Sequence, residues 1–445
     1  MTPNSGNSQN RDFLDAAWSI GAQLCREALW DGARCNWLGD TMEFQFGAWT
    51  VVHRSGGPDL YSGTSGTGLF LLHLDRFAPD KRIRATAAGA FAQAVSRAES
   101  LPPTLRHGFY TGWAGIAHAL LEAADYLDRP DWAAKAWQLI DGICASEPDA
   151  SAIDVLAGIA GAIPFLVRLY QRERRQELLD RAISFGESLL ARANKSDQGW
   201  SWTTMPPMVP GGADLTGFSH GTGGIGWAML ELFAITGRED FRQAGMEAIR
   251  YEQAWFQPDI ENWPDFRSEP TAAHDGTMRH ACAMAWCHGA PGIGLARLRA
   301  HEILGETEYR TQAEAAMRAT IRAINAQPAQ ESYSLCHGLA GNSELFLNAD
   351  MVWPSAGYYQ IAATVGHRGI ELYERGRNPW PSGVAGGGFN PSLMLGVAGT
   401  GYFYLRLHDP ARVGSILIVT PERTAKVELA QLAARHSVAG GGQKD

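Results

Sequence analysis

The chain of 445 residues lacks several features that would place it in common functional classes. It has no run of about 18 apolar residues, so the sequence predicts no membrane span. It has no cluster of Lys and Arg, and its 38 basic and 47 acidic residues give a net charge of −9. This balance argues against nucleic acid as a partner. The first ten residues, MTPNSGNSQN, have neither the basic start nor the apolar stretch of a signal peptide.

Cysteine is also scarce, and the few cysteines are scattered. A long chain with so few thiols is not organised as a disulfide scaffold, so the sequence predicts a cytoplasmic protein. In that compartment, cysteines that lie near histidines are typical of metal-binding or catalytic sites. The six positions are Cys25, Cys35, Cys144, Cys282, Cys287 and Cys336.

Glycine, in contrast, is abundant, at 50 residues, and much of it follows one pattern. The pattern is Gly, two residues, Gly, one residue and usually a small residue, followed by an apolar run. Seven copies occur, at intervals of 46 to 68 residues. Periods of this size indicate an array of similar units rather than independent domains. The seven first glycines are Gly63, Gly112, Gly158, Gly221, Gly289, Gly338 and Gly396.

Each copy predicts a helical hairpin. Apolar residues after each glycine motif follow helical spacing, and a second helical pattern fills most intervals. The first and last glycine helices are no more polar than the others, which favours a closed ring over an open array. The sequence therefore predicts an all-α ring of seven inner and seven outer helices. We expect one domain over 11–435, with disordered ends at 1–10 and 436–445.

In such a ring the seven glycine turns gather at one end, so the residues before each first glycine should converge. Three consecutive copies carry metal-competent side chains: SHG at 219–221, WCHG at 286–289 and CHG at 336–338. Cys287, Cys336 and His337 would give Zn²⁺ three protein ligands and leave one position open, as catalytic zinc sites do. A fourth ligand would close that position, so His288 is predicted to support the site or face the substrate.

Other residues at the same positions have two possible roles. His220 can be a general acid/base, because its ordinary pKa lies near neutrality, or a structural histidine. Asp154 can cap a helix or orient a catalytic histidine. Tyr110 and Trp286 also precede first glycines, and we expect them to support the site or face the substrate.

These motifs together resemble the lanthionine synthetase C-like family, the LanC-type cyclases. The similarity lies in the seven glycine helices, SHG, WCHGAPG at 286–292 and CHG, and covers roughly residues 60–405. It implies an α/α toroid with one zinc ion bound by Cys287, Cys336 and His337. It also implies that His220 is the active-site acid/base and that Asp154 belongs to the D-x-x-x-G motif nearby.

The resemblance implies a lanthionine synthetase that closes thioether rings in lanthipeptide biosynthesis. In this reaction a peptide cysteine adds to dehydroalanine or dehydrobutyrine in a dehydrated precursor peptide. The chain lacks the long dehydratase region of bifunctional synthetases, so a separate dehydratase is expected as a partner. The Arg that some members carry four residues before the first zinc cysteine is Ala283 here, with Arg279 and His280 nearby.

Several alternatives to this function stay open at this point. One is the addition of glutathione or another small thiol to dehydroamino acids, and another is a non-catalytic zinc protein that binds peptides or thiols. An α/α-ring glycosidase would need a pair of opposed carboxylates, and none recurs at the motif positions. A zinc prenyltransferase subunit would use an Asp ligand, which these motifs do not offer.

Overall fold

The computed structural model describes residues 5–45, 47–205, 212–272, 278–326, 332–354 and 356–420. Within these ranges the chain forms fourteen α-helices. They are α1 Ser5–Glu27, α2 Thr64–Phe77, α3 Lys81–Arg97, α4 Trp113–Leu127, α5 Pro130–Ala145, α6 Ile159–Glu173, α7 Gln176–Ala191, α8 Thr222–Thr236, α9 Glu239–Ala254, α10 Ala290–Leu304, α11 Thr307–Ala326, α12 Leu339–Val352, α13 Tyr358–Gly369 and α14 Val397–His408. A π-helical turn, Ile370–Arg375, continues α13.

The seven even-numbered helices follow the seven glycine motifs and form the inner ring. Each packs on the next, and α14 packs on α2, so the ring is closed. A helix that is buried on all sides must be apolar all around. In α8, for example, every residue from Thr222 to Leu232 is buried. The predicted α/α toroid with seven inner helices is confirmed.

The seven odd-numbered helices form the outer layer, and each packs on an inner helix. They bury one stripe only, which is the pattern of an amphipathic surface helix. In α9 the stripe includes Phe241, Ala244 and Ala248 at helical spacing. Six outer helices directly follow their inner partners along the chain. The seventh inner helix, α14, packs instead against α1, the first helix of the chain.

The limits of the domain differ in part from the prediction. Helix α1 begins at Ser5, inside the segment 1–10 that the sequence predicts as disordered. Its role as the outer partner of α14 explains the difference, because a helix that closes the ring must reach across the whole apolar face. The predicted tail, 436–445, lies outside the described residues, so that expectation stays a prediction.

The interior of the ring is filled by the chain itself. After α14 the chain turns back, and the apolar segment 413–419 runs inside the inner helices. Two residues of α14 hold it: Arg406 donates to the carbonyl oxygen of Val413 at 2.6 Å, and Tyr402 to that of Gly414 at 2.9 Å. The buried apolar side chains of the segment are Val413, Ile416, Leu417, Ile418 and Val419.

In the described ranges, four antiparallel two-stranded hairpins lie outside the helices of the ring. Their strands are β1 Leu29–Asp31, β2 Arg34–Asn36, β3 Leu38–Gln45, β4 Ala48–Ser55, β5 Asn194–Ser196, β6 Gly199–Ser201, β7 Thr271–Ala272 and β8 Met278–Arg279. The longest, β3–β4, pairs Leu38 with Ser55 and Gln45 with Ala48.

Two expectations from composition can be compared with the structure. In the part of the chain that is described, no helix is long and apolar enough to cross a membrane. All six cysteines are free thiols, in agreement with the prediction that disulfides do not organise the fold. The cytoplasmic location stays a prediction.

Candidate metal and catalytic site

The residues before the first glycines converge at one end of the ring, as the sequence predicts. Backbone hydrogen bonds join successive turns around this end, with one link made by a side chain. The links are Tyr61 N to Tyr110 O (2.8 Å), Thr111 Oγ1 to Leu156 O (3.5 Å), Val155 N to Ser219 O (3.1 Å), Ser219 N to Cys287 O (3.1 Å), Cys287 N to Cys336 O (3.3 Å), Cys336 N to Met394 O (2.9 Å) and Met394 N to Tyr61 O (3.0 Å). The seven turns therefore form one closed circle.

The second glycine of each motif makes this circle possible. A Cβ atom added there would lie only 1.9–2.1 Å from the carbonyl oxygen six residues earlier, in all seven copies. Any side chain would push the turn away from the first helical turn that follows it. The seven positions are Gly66, Gly115, Gly161, Gly224, Gly292, Gly341 and Gly399.

Cys287, Cys336 and His337 form the candidate metal site at this end. Their ligand atoms all lie within 4.8 Å of one another, and the group can hold a metal ion. Among the described residues, no other group of three or more His, Cys, Asp and Glu side chains has this geometry. Cys336 is buried, Cys287 is partly buried and His337 is exposed, so the site opens to solvent on the His337 side.

The environment of His337 fits a metal ligand. Its Nε2 lies 2.6 Å from the carbonyl oxygen of Gly383, to which it can only donate a proton. The proton on Nε2 leaves the lone pair of Nδ1 free for a metal. Histidine ligands usually donate their other ring N–H in this way, which fixes the tautomer and the ring orientation. A Cβ atom at position 383 would lie 2.8 Å from Nε2, so glycine is required there.

The thiols are also arranged for metal binding, which requires thiolates. A hydrogen bond from Cys336 lowers the pKa of Cys287 well below its ordinary value, against the effect of burial, and His337 contributes a second hydrogen bond. The same contact between the two sulfurs, together with burial, raises the pKa of Cys336 well above its ordinary value. The contact therefore favours the thiolate form of Cys287, and a metal ion would supply the positive charge that favours the second thiolate.

His220 and Asp154 form a second group beside these ligands. Asp154 Oδ2 lies 2.6 Å from His220 Nδ1, and Asp154 Oδ1 accepts hydrogen bonds from the amides of Ala157 (2.7 Å) and Gly158 (3.0 Å). No side chain caps α6 itself, so Asp154 is not a helix cap. One of its oxygens instead holds the turn before α6, and the other contacts His220. The neighbouring Ser219 joins this group to the backbone of Cys287.

A buried ion pair supports the turn that carries His220. Glu252 Oε1 accepts hydrogen bonds from the amides of Gly217 (2.8 Å) and Gly223 (3.1 Å), at the two ends of the turn. Glu252 Oε2 pairs with Arg297 at 2.8 Å, and neither side chain is exposed. No motif in the sequence indicates this pair, because both residues lie in ordinary helical patterns on α9 and α10.

His288 lies behind the metal ligands rather than among them. It is buried, its ring stacks on that of His220 with centroids 5.8 Å apart, and its Nδ1 lies 3.3 Å from the carbonyl oxygen of Thr216. Burial lowers the pKa of His288 to about 4, so the ring is neutral at pH 7. Whether His288 supports the site or faces the substrate stays a prediction.

Tyr110 and Trp286 also face inward. The hydroxyl of Tyr110 and the indole N–H of Trp286 donate to the carbonyl oxygen of Leu417, at 3.2 and 2.9 Å, and their rings meet edge to face at 5.0 Å. Both side chains are almost fully buried. Of the two roles predicted for them, the structure favours support, since they hold the segment inside the ring and do not face the solvent.

The cation beside the cysteines is Arg267, a residue that the sequence analysis missed. Burial opposes its charge, but hydrogen bonds with Asp265 and the negative field of Cys287 and Cys336 outweigh burial and raise the pKa of Arg267. The guanidinium is held by Asp265 at 2.6 and 2.9 Å. Arg267 belongs to no repeated motif, so no signal in the sequence distinguishes it.

The two basic candidates that the sequence offered near Ala283 have other contacts. Arg279 pairs with Asp259 at 2.6 Å, and His280 Nδ1 lies 2.8 Å from the carbonyl oxygen of Ser268. The ring of His280 also packs edge-on against Phe266.

With this geometry described, the chain can be compared with known proteins. The model of the lanthionine synthetase C-like proteins matches residues 54–418. The chain therefore belongs to this family.

Individual relatives are distant. The glutathione S-transferase LANCL1 of Danio rerio is 24% identical over 265 residues, which are 57% of this chain and 58% of that protein. The match thus spans little more than half of that relative's length. The solved structure of nisin cyclase aligns with a TM-score of 0.62 at 18% identity, over 80% of this chain and 90% of that chain. This likeness supports the toroid fold.

Proposed function

We propose that the protein is a zinc-dependent lanthionine and methyllanthionine synthetase of lanthipeptide (lantibiotic) biosynthesis. It would add a cysteine of a dehydrated precursor peptide to dehydroalanine or dehydrobutyrine. The observation that carries this proposal is the joint position of the Cys287–Cys336–His337 group and the His220–Asp154 pair at one end of the ring, in a chain of the lanthionine synthetase C-like family.

In this proposal Cys287, Cys336 and His337 hold one zinc ion, which would supply a Lewis acid that lowers the pKa of a substrate thiol. His220 accepts the thiol proton at Nε2, since its Nδ1 is occupied by Asp154. The sulfur adds to the β-carbon of the alkene, and the proton returns to the α-carbon. The reaction adds S–H across C=C, so the mass of the peptide does not change.

The remaining residues of the site control charge and orientation. Two ligand thiolates and a substrate thiolate would exceed the charge of one Zn²⁺ ion by a single negative charge, and Arg267 provides a positive charge beside them. Asp265 keeps this guanidinium in place. Glu252 and Arg297 hold the ends of the turn that presents His220, and the neutral ring of His288 packs on its face.

A separate dehydratase would prepare the substrate, because nothing at this site provides for the dehydration of serine or threonine. A second candidate function keeps the chemistry and changes the thiol. The relative from Danio rerio is described as a glutathione S-transferase, which supports the addition of glutathione to dehydroamino acids.

A single assay separates these functions. The purified protein is first analysed for zinc and then incubated with a synthetic peptide that contains dehydroalanine and cysteine, with and without glutathione. Loss of the peptide thiol at constant mass supports cyclisation, whereas a mass gain of one glutathione supports the second candidate. A zinc-loaded protein that produces neither change would be a non-catalytic binder, and a protein without zinc would contradict the proposal.

The control variants are His220→Ala and Cys336→Ala. We expect the first to keep its zinc and lose most of its activity, and the second to lose both. If both variants lost zinc equally, the role proposed for His220 would be wrong.

A further inference from the structure

The hairpin β3–β4 is anchored to the loop that carries Gly383, the hydrogen-bond partner of His337. The backbone of Asp40 on β3 exchanges hydrogen bonds with this loop, since Asp40 N donates to Phe389 O at 2.9 Å and Asn390 Nδ2 donates to Asp40 O at 2.7 Å. Gly383, which accepts the hydrogen bond of His337, lies earlier in the same loop. The position of the hairpin is therefore tied to that of a candidate metal ligand.

Strand β4 has an open edge. Its one strand partner in the described structure is β3, so its outer backbone groups are free to pair with another extended chain. At the far end of the hairpin, Phe44 and Trp49 are opposite each other with ring centroids 5.6 Å apart, and their exposed fractions are 62% and 67%. An exposed aromatic pair beside a free strand edge is typical of a binding surface.

At the near end of β4 lies a cavity of about 460 Å³, which we name the arginine pocket. It is formed by Arg34, Arg54 and Arg97, with Asp31 as the one acidic residue of its wall. The first two arginines contact Asp31 and Glu43 in exposed ion pairs. Such pairs contribute little free energy and can exchange partners. Among the described residues Arg97 has no acidic partner.

The arginine pocket continues toward the candidate site. A second, smaller cavity shares Arg54, Ser55, Gly56 and Gly57 with it and extends to Ser62. Gly56 packs against Ser62 in the first glycine turn, where an added Cβ would lie 3.2 Å from the Ser62 carbonyl oxygen. The preceding residue, Tyr61, belongs to the circle of glycine turns, since its carbonyl oxygen accepts from Met394 N at 3.0 Å.

The wall of the arginine pocket thus has three arginines against one aspartate, in a protein whose net charge is −9. The arginines favour a partner with acidic side chains, and the open edge of β4 favours a partner in extended conformation. The continuity with the glycine turns indicates that the partner is the same molecule that reaches the site.

We propose that the β4 edge and the arginine pocket bind an extended acidic segment of the peptide substrate, outside the residues that react. This inference rests on the proposed function. The segment would lie along β4, with carboxylates at Arg54 and Arg97 and an apolar side chain near Phe44 and Trp49. It would raise the local concentration of the reacting residues at the candidate site without taking part in the chemistry.

The test uses two fluorescent peptides that differ in one segment, which contains six Glu in one and six Gln in the other. Binding is measured by anisotropy on versions with Ala at the reactive positions. We expect the wild type to prefer the Glu peptide about ten-fold at low salt, from three exposed charge contacts, and to lose this preference as salt screens them. In the Arg54→Gln/Arg97→Gln variant the preference should fall to about two-fold.

The matched control is Arg82→Gln, because Arg82 lies on the same helix as Arg97 but outside the pocket and is also exposed. This variant should retain the ten-fold preference. Equal binding of both peptides by the wild type, or equal loss in the control and the pocket variant, would overturn the inference. A dimer in gel filtration that the Glu peptide does not dissociate would also overturn the inference, because a second copy of the chain would then occupy the β4 edge.

Reactive versions of both peptides separate this inference from the proposed function. Ring closure in the Gln peptide without any preference for Glu would overturn the binding surface and leave the function intact. A pocket-dependent preference for Glu without thiol loss in either peptide would support the surface and contradict the function.

Discussion

Asp154→Asn should separate the two roles of this side chain. Asparagine retains Oδ1, which accepts the hydrogen bonds from Ala157 and Gly158, so the turn before α6 is still held. The atom that faces His220 becomes an amide nitrogen, which donates a proton instead of accepting one. His220 Nδ1 must then be the acceptor, so Nε2 carries the proton and can no longer take one from a thiol.

The magnitude of each effect follows from the contacts that are lost. Loss of the charge-assisted hydrogen bond to His220, now 2.6 Å long, costs about 1.5–3 kcal/mol. If this energy is expressed in the transition state, the rate falls about ten- to hundred-fold. Since the hydrogen bonds to the turn remain, the free energy of unfolding should change by less than about 1 kcal/mol. Asp154→Ala removes both contacts and should lower stability by about a further 1 kcal/mol.

The assay compares wild type, Asp154→Asn and Asp154→Ala in three measurements. Thiol loss on a dehydrated peptide gives the rate, thermal unfolding gives the stability and elemental analysis gives the zinc content. We expect equal zinc content in all three proteins. Both variants should have a lower rate of thiol loss than the wild type, and only the alanine variant should also unfold at a lower temperature. An asparagine variant with the wild-type rate would refute the orienting role and leave Asp154 only as the acceptor that holds the turn before α6.

Three further predictions follow from other contacts. Cys336→Ser should bind less zinc than the wild type in elemental analysis after dialysis against a chelator, and a variant with unchanged zinc would contradict the ligand assignment. Arg297→Met leaves the carboxylate of Glu252 buried without a partner, so the free energy of unfolding should fall by about 3–5 kcal/mol in chemical denaturation. Arg297→Met combined with Glu252→Gln should recover much of the loss. Burial lowers the pKa of His118 to about 4 from an ordinary value near 6.5. As the pH falls, the unfolded state therefore takes up a proton on His118 before the folded state does. The contribution of neutral His118 to the free energy of unfolding is complete above pH 6.5 and decreases by up to about 3 kcal/mol as the pH drops to 4. Melting curves of His118→Gln should lack this contribution, and an unchanged pH dependence would contradict the neutral state of His118.

The repeated part of the structure could be predicted from sequence because one geometric requirement occurs seven times. The second glycine of every motif lies against the carbonyl oxygen six residues before it, so the pattern is visible without any alignment. The ring then determined which side chains converge, and Cys287, Cys336 and His337 could be placed together although up to 50 residues separate them.

The rest of the site has no such period. Arg267 is held by Asp265 in an irregular segment, and Glu252 reaches the His220 turn from an outer helix. Their functions depend on three-dimensional neighbours that no spacing in the sequence encodes. The same holds for Leu417, whose segment is an ordinary apolar stretch in the sequence but lies inside the ring in the structure.

The pairing of α1 with α14 has a consequence for how the molecule is made. Glu27 at the end of α1 and Val397 at the start of α14 are 370 positions apart, so α1 leaves the ribosome long before its partner α14. Until then Phe13 of α1 lacks its ring partners His367 and Tyr404, whose centroids lie 4.7 and 6.1 Å away in the folded protein. A second chain whose α14 is already made but not yet paired offers an identical partner, which is the condition for domain swapping. Crowded synthesis should therefore trap linked dimers, and slow, dilute refolding should favour the closed monomer.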